Sequence, residues 1–129
     1  MKYKDRIYGD FEITEPVLID LYKSDAIQRL EGILQHGITG MIGICSLSTR
    51  LEHSVGVMRL VQKMGGSLKE QIAALVHDVS HTAFSHVIDH VFKQAETQSF
   101  HEERKEWFFQ QSDIPKILNQ HGYQWQNFL

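Results

Sequence analysis

Two amphipathic stretches joined by a pair of glycines constrain this chain more than anything else in it. Between Arg50 and Met64, the residues His53, Val57, Leu60, Val61 and Met64 recur at i, i+4, i+7, i+8 and i+11. That spacing puts them on one face of an α-helix, with His53 on the buried side. Gly65-Gly66 ends the pattern, as glycine does at helix C-termini. Ser67 follows, with Glu70 three residues on, which is the signature of a capping box. A second helix then runs to about Ser80, with Leu68, Ile72, Leu75, Val76 and Val79 as its apolar face. Ala73, Ala74, His77, Asp78 and His81 form an adjacent face, where the two alanines leave room for a neighbouring helix or an ion. A short glycine turn between two such helices makes them antiparallel neighbours. Only two prolines, Pro16 and Pro115, interrupt the 129 residues, so the chain is expected to be all-α.

Shorter elements surround this pair. Pro16 can open a helical turn through Leu21. Ser24 reads as the N-cap of a helix from Asp25 to about Leu34. Residues 84–92, 101–110 and 114–119 read as three further helices. The stretch from Gly37 to Ser48, with three glycines and few charges, reads as a loop packed on the core. Residues 5–13 alternate loosely around Gly9, with Ile7, Phe11 and Ile13 set against Arg6, Asp10 and Glu12. That predicts a short N-terminal β-hairpin or an extended arm. At 129 residues the chain is a single domain, residues 1–129, able to bury roughly two thirds of its unfolded surface. Its last residues carry no Gly, Pro or charged run, so it is expected to be the N-terminal portion of a longer protein.

Composition excludes several functions. A net charge of −3 argues against a general nucleic-acid binder, which would be basic. No apolar run reaches the roughly 18 residues of a membrane span, and the first residues lack the apolar segment of a signal peptide. The single cysteine, Cys45, cannot form an internal disulfide, which fits a reducing, cytoplasmic setting. The C-terminal aromatics Tyr123, Trp125 and Phe128 would stay partly exposed in a lone chain of this size, whereas Trp107 to Phe109 can plug the core. Exposed rings of that kind point to a missing segment or a second subunit, hence a homo-oligomer.

The chemistry concentrates around His77-Asp78, at the end of the second apolar helix, and His53 on the first. Imidazoles with a carboxylate suit Mn, Fe, Mg, Zn or Ni, and sequence does not choose among them. Neighbouring residues on a helix project about 100° apart, yet two side chains at a helix end can still converge on one ion beyond it. His53, from the antiparallel neighbour, supplies a third ligand. Such a site activates water against a phosphate ester, and a metal with a few cations can hold an anionic substrate despite the acidic balance. Core histidines with satisfied hydrogen bonds are the alternative, although burying several unpaired polar groups costs about 1–3 kcal/mol each. The run His77-Asp78-Val79-Ser80-His81 also mimics the His-Glu-x-x-His of zinc peptidases, but its acid is one methylene short.

These residues resemble the HD superfamily of metal-dependent phosphohydrolases, whose ligand pattern is His…His-Asp…Asp. The runs Arg50-Leu51-Glu52-His53-Ser54-Val55-Gly56-Val57 and His77-Asp78-Val79-Ser80-His81-Thr82-Ala83-Phe84-Ser85-His86 are similar to its deoxynucleoside triphosphate triphosphohydrolase branch. So are Ile7 to Ile13, Gln28-Arg29-Leu30 and Phe100-His101-Glu102. The resemblance implies an HD-domain helical bundle acting on a nucleotide or another phosphate ester, with a divalent metal ion held by His53, His77 and Asp78. It implies that Arg50 contacts substrate phosphate, that His81 sits beside the reactive phosphate as a catalytic or substrate-binding residue, and that His86 and Asp89 line the same pocket. It implies a proton donor or phosphate ligand in His101. Each has a plainer reading: Arg50 as a solvated cation, His86 as a stacking partner of His90, Asp89 as half of an ion pair, His101 as first-turn chemistry.

The chain departs from the family at its last ligand. That aspartate usually lies well beyond the His-Glu segment, and the only aspartate after His101 is Asp113, in Ser112-Asp113-Ile114-Pro115, which looks like a helix cap. The fourth ligand is therefore expected past Leu129. The branch's Gly-His-x-Pro-Phe is here Ser80-His81-Thr82-Ala83-Phe84, which alters the pocket entrance. Two functions remain. One is a metal-dependent phosphohydrolase acting on a nucleotide, for example a deoxynucleoside triphosphate. The other is a catalytically incomplete nucleotide-binding or scaffold module that lacks one carboxylate.

Overall fold

The computed structural model describes the backbone of residues 1–82 and 99–129, and their side chains except at 38 and 99–103. The chain opens with β1 (Lys2–Tyr3) and β2 (Phe11–Glu12), antiparallel, with Lys2 opposite Glu12 and Tyr3 opposite Phe11. The hairpin thus begins nearer the N-terminus than the alternation of residues 5–13 indicates. Asp5 explains the difference. Its Oδ1 accepts from the amides of Ile7 and Tyr8, both at 2.7 Å, and makes those residues the turn.

Helix α1 (Pro16–Lys23) starts on Pro16 and buries Val17, Leu18 and Leu21. The helix expected over 25–34 divides into α2 (Asp25–Gln28) and a 3-10 turn, Arg29–Gly32. Ile33 must leave the helix because its carbonyl accepts from Arg50 N at 2.8 Å, while Gln35 N donates to Ser48 O at 2.8 Å. This local ladder fixes where the next long helix begins. Ser24 Oγ accepts from Ile27 N at 3.2 Å, as a cap should. The loop between the ladder's two sides contains a short helix, α3 (Ile38–Met41). It is not packed on the core as its composition suggests, since Met41, Ile42, Ile44 and Leu47 are 61% to 73% exposed.

Helices α4 (Arg50–Lys63) and α5 (Leu68–Val76) form the antiparallel pair foreseen from the sequence. Both begin with complete capping boxes, Thr49 with Glu52 and Ser67 with Glu70. Gly65 turns the chain at φ +80°, a conformation glycine adopts without strain. Gly66 is required for space, because a Cβ there would lie 3.0 Å from the Val61 carbonyl oxygen. The buried stripe of α5 holds as expected through Ile72, Leu75, Val76 and Val79. That of α4 is rotated. Leu51, Ser54, Val55 and Met58 face α5 and the core, while Leu60 and Met64 are 42% and 79% exposed. Each fully buried aliphatic side chain here stabilises by about 1.5–3 kcal/mol.

Helix α6 (Ser99–Gln111) and α7 (Ile114–Gln120) close the core with Phe109, Ile114 and Leu118, and a 3-10 turn, Trp125–Phe128, follows. Helix α1 packs against α5 and α7. The aromatic expectations hold in part: Phe109 is buried and Phe108 packs on the core, and Tyr123 and Trp125 stay partly exposed, whereas Trp107 is 55% exposed and Phe128 is buried. Phe109 and Trp125 lie 6.2 Å apart and Tyr123 and Phe128 6.1 Å, so these rings already have partners within the chain. Among the described residues no helix is long and apolar enough to cross a membrane. The helix expected over 84–92 lies outside the described residues.

Candidate metal centre

The last turn of α5 carries the chemistry. The helix ends at Val76, short of the expected Ser80, and His77 to Ser80 continue as turns, with Val79 N donating to Val76 O at 3.2 Å. Unwinding at this point lets adjacent side chains converge. The coordinating atoms of His53, His77 and Asp78 all lie within 4.8 Å of one another. His53 Nε2 is 3.8 Å from Asp78 Oδ2, and His77 Nε2 is 3.4 Å from Asp78 Oδ1. Ligands each about 2.1 Å from one ion sit roughly 3–4 Å from each other, so these spacings fit a single divalent cation.

The donor set is prepared for that role. His77 Nδ1 lies 2.7 Å from the Ala74 carbonyl oxygen. A carbonyl only accepts, so Nδ1 carries the proton and Nε2 keeps its lone pair for a metal. Burial, with the positive charges nearby, pushes the His53 imidazole down against the pull of Asp78, which favours the neutral, ligating form. Burial alone would raise the Asp78 carboxyl. The His81 hydrogen bond and the nearby His77, His81 and Arg50 outweigh it and hold that carboxyl well below its usual range. The His53 imidazole, the Nε2 lone pair of His77 and the Asp78 carboxylate thus face one point as metal donors.

Arg50 is far from the solvated cation its sequence position allows. It is 1% exposed, and its Nη1 donates to Asp78 Oδ2 at 2.6 Å. The first residue of α4 therefore holds the carboxylate that ends α5. His81, also mostly buried, brings Nε2 to 3.3 Å from Asp78 Oδ1. Asp113 stands elsewhere. Its carboxylate accepts from Asp25 N at 2.8 Å and Ala26 N at 3.3 Å, so it caps α2 across the fold. His86 and Asp89 lie outside the described residues, as does the side chain of His101, whose backbone sits in the first turn of α6.

Two further residues shape the centre and were not singled out for a role by sequence reasoning. Arg29 Nη2 donates to the carbonyls of Val79 and His81, the latter at 2.8 Å, and its guanidinium lies 4.6 Å from the centre of the Phe108 ring. It thus pins the backbone that presents Asp78 and His81. The signal was present in Gln28-Arg29-Leu30, but nothing local said where the arginine would reach. Lys105 on α6 is half-buried and within electrostatic reach of Asp78, with burial pushing its ammonium down and the carboxylate pulling it back up.

The sequence profile of the HD domain family matches residues 50–127, a span that includes His53, His77 and Asp78. A metal-dependent phosphohydrolase, cns2, from Cordyceps militaris is 49% identical over 92% of this chain and 34% of its own length. An uncharacterized protein, YdhJ, from Bacillus subtilis is 46% identical over 100% of this chain and 39% of its own. The deoxynucleoside triphosphate triphosphohydrolase SAMHD1 of Danio rerio is 32% identical over 70% of this chain and 17% of its own. The chain belongs to the HD domain family, and spans about a third of the length of the two more similar relatives.

Proposed function

We propose that this chain carries the metal-binding heart of a phosphohydrolase acting on a nucleotide, in a cytoplasmic setting. The observation that carries the reading is the convergence of His53, His77 and Asp78, with the His77 tautomer fixed for metal binding by the Ala74 carbonyl. The 49% identical relative named a metal-dependent phosphohydrolase supports the reaction class. The relatives named deoxynucleoside triphosphate triphosphohydrolases, at 32% identity, support deoxynucleoside triphosphates as the first substrates to try.

A divalent ion held there supplies Lewis-acid chemistry, neutralising phosphate charge and making a water molecule more acidic. The chain's own residues do the rest. Arg50 and His81 orient the Asp78 carboxylate from both of its oxygens. In this reading His81, beside the Asp78 carboxylate, hands a proton to the leaving oxygen. Arg29 holds the turn on which both stand. In this reading His101 and Lys105 approach from α6 to meet the phosphate, and His86 and Asp89 complete the pocket.

The test is metal stoichiometry on the purified chain beside His77→Ala and Asp78→Ala, followed by a panel of deoxynucleoside triphosphates and monophosphates. About one tightly held divalent ion, lost in both variants, with hydrolysis of at least one nucleotide, is expected. A wild-type chain that retains no ion sinks the catalytic reading for this chain and favours a nucleotide-binding module that lacks a carboxylate.

A further inference from the structure

The N-terminal hairpin encloses space against the helix that carries His53. A cavity of about 260 Å³ opens between the turn of the hairpin and α4, and His53 lines it. The same histidine presents Nε2 to Asp78, so the cavity and the metal centre share a wall. The opposite wall is fixed in place. Asp5 ties down the amides of Ile7 and Tyr8. Arg6 Nη2 donates to Glu52 Oε2 at 3.0 Å and to Leu47 O at 3.3 Å, clamping the turn to α4 and to the loop before it.

The walls are aromatic and aliphatic. Tyr3 and Tyr8 contribute ring surface, and Val57 and Leu60 supply aliphatic surface along α4. Gly56 keeps the passage wide, since even a Cβ there would stand 3.7 Å from the Tyr8 ring. Lys4 lines the same cavity from an exposed position. The volume is just below the roughly 300–1,000 Å³ of pockets for drug-sized ligands. It admits one ring system with its sugar and is too small for a peptide or an oligonucleotide. Of the two basic side chains that line it, Arg6 is committed to Glu52, which leaves Lys4 to attract an anion but too few donors to hold a bare phosphate.

We infer that this cavity receives the nucleoside part of the phosphate ester, while the phosphate lies on the metal side of His53. The inference rests on the proposed phosphohydrolase function and adds to it the direction in which substrate lies. A planar base meets the tyrosine rings. Lys4 guides the anionic molecule in.

The test uses the metal-loaded chain and a probe without phosphate, thymidine or deoxyguanosine, titrated by NMR. Wild type is expected to bind at least one of the two, with shifts centred on Tyr8, Gly56 and Leu60. Leu60→Trp fills the cavity from an exposed position and should weaken nucleoside binding about tenfold or more, at unchanged metal content. Ile7→Trp, from the opposite wall, repeats the test should the first variant fold poorly. In turnover, either variant should lower the ratio of kcat/KM for a deoxynucleotide over that for glycerol 2-phosphate by about tenfold. Nucleoside shifts lying elsewhere, no nucleoside binding, or equal binding in wild type and both variants would overturn the inference. If no ester is hydrolysed at all, the functional proposal fails while the nucleoside titration still decides this one.

Discussion

Replacing Asp78 by asparagine in the metal-free protein probes the centre's architecture apart from its ion. The variant keeps shape and one hydrogen-bond acceptor but removes the charge that faces a guanidinium only 1% exposed. Removing one partner of a buried ion pair costs about 3–5 kcal/mol, because the remaining charge has already lost its water. The lower end applies here, since the amide oxygen can still accept from Arg50, so about 3 kcal/mol is expected. For a domain of this size each kcal/mol moves the melting temperature by about 3–5 °C, giving a fall of about 9–15 °C. The assay is thermal unfolding by circular dichroism after exhaustive chelation. His77→Ala is the control. It removes a metal ligand but only the half-exposed imidazole and its bond to Ala74, worth about 0.5–1.5 kcal/mol. Arg50→Met combined with Asp78→Asn should recover most of the loss. An Asp78→Asn protein melting within about 3 °C of wild type, or no lower than His77→Ala, would refute the argument that Arg50 and Asp78 form a buried structural pair.

Other perturbations separate the remaining roles. The Asp78 carboxyl is held below its unfolded value of about 3.9, so its stabilisation is fully present above that pH and is lost as pH falls further; in chelated protein the difference in melting temperature between wild type and Asp78→Asn should stay level down to about pH 5 and shrink below about 4. Asp113→Ala leaves the Ser24 cap but removes the acceptor for the Asp25 and Ala26 amides of α2, and should cost about 1 kcal/mol in urea unfolding while metal content stays the same; lost metal would return Asp113 to the ligand set. Arg29→Lys keeps the charge but not the planar donor that reaches two carbonyls, and should weaken metal affinity about 10–100-fold by competition with a fluorescent chelator. Unchanged affinity would show that the turn holds without it.

The parts of the fold written in local chemistry were legible. The apolar spacing of α4, the Gly65-Gly66 turn and the Ser67-Glu70 capping box placed the helical pair, and the spacing of His53, His77 and Asp78 across it foretold their meeting. What escaped depends on residues distant in sequence. The buried face of α4 passes through Ser54, a polar residue whose place in the stripe is set by α5, so the more apolar row ending at Leu60 and Met64 seemed the better candidate. Arg50 at a helix start reads as solvated until Asp78 is seen across from it. Asp113 was recognised as a cap, but of its own helix, when it caps α2 instead. The helix over 25–34 was broken by a ladder to Ser48 and Arg50 that no local pattern announces.

The origin of the three ligating side chains in one helical hairpin bears on the order of assembly. Closing α4 on α5 needs only the short turn at Gly65-Gly66, an inexpensive loop that forms early. The Arg29 clamp on Val79 reaches across 50 positions, and the Asp113 cap across 88. A nascent chain would therefore display most of an ion-binding site before its C-terminal helices arrive. Metal present during synthesis would staple the first-formed part of the fold, before the Asp113 cap and the C-terminal helices are in place.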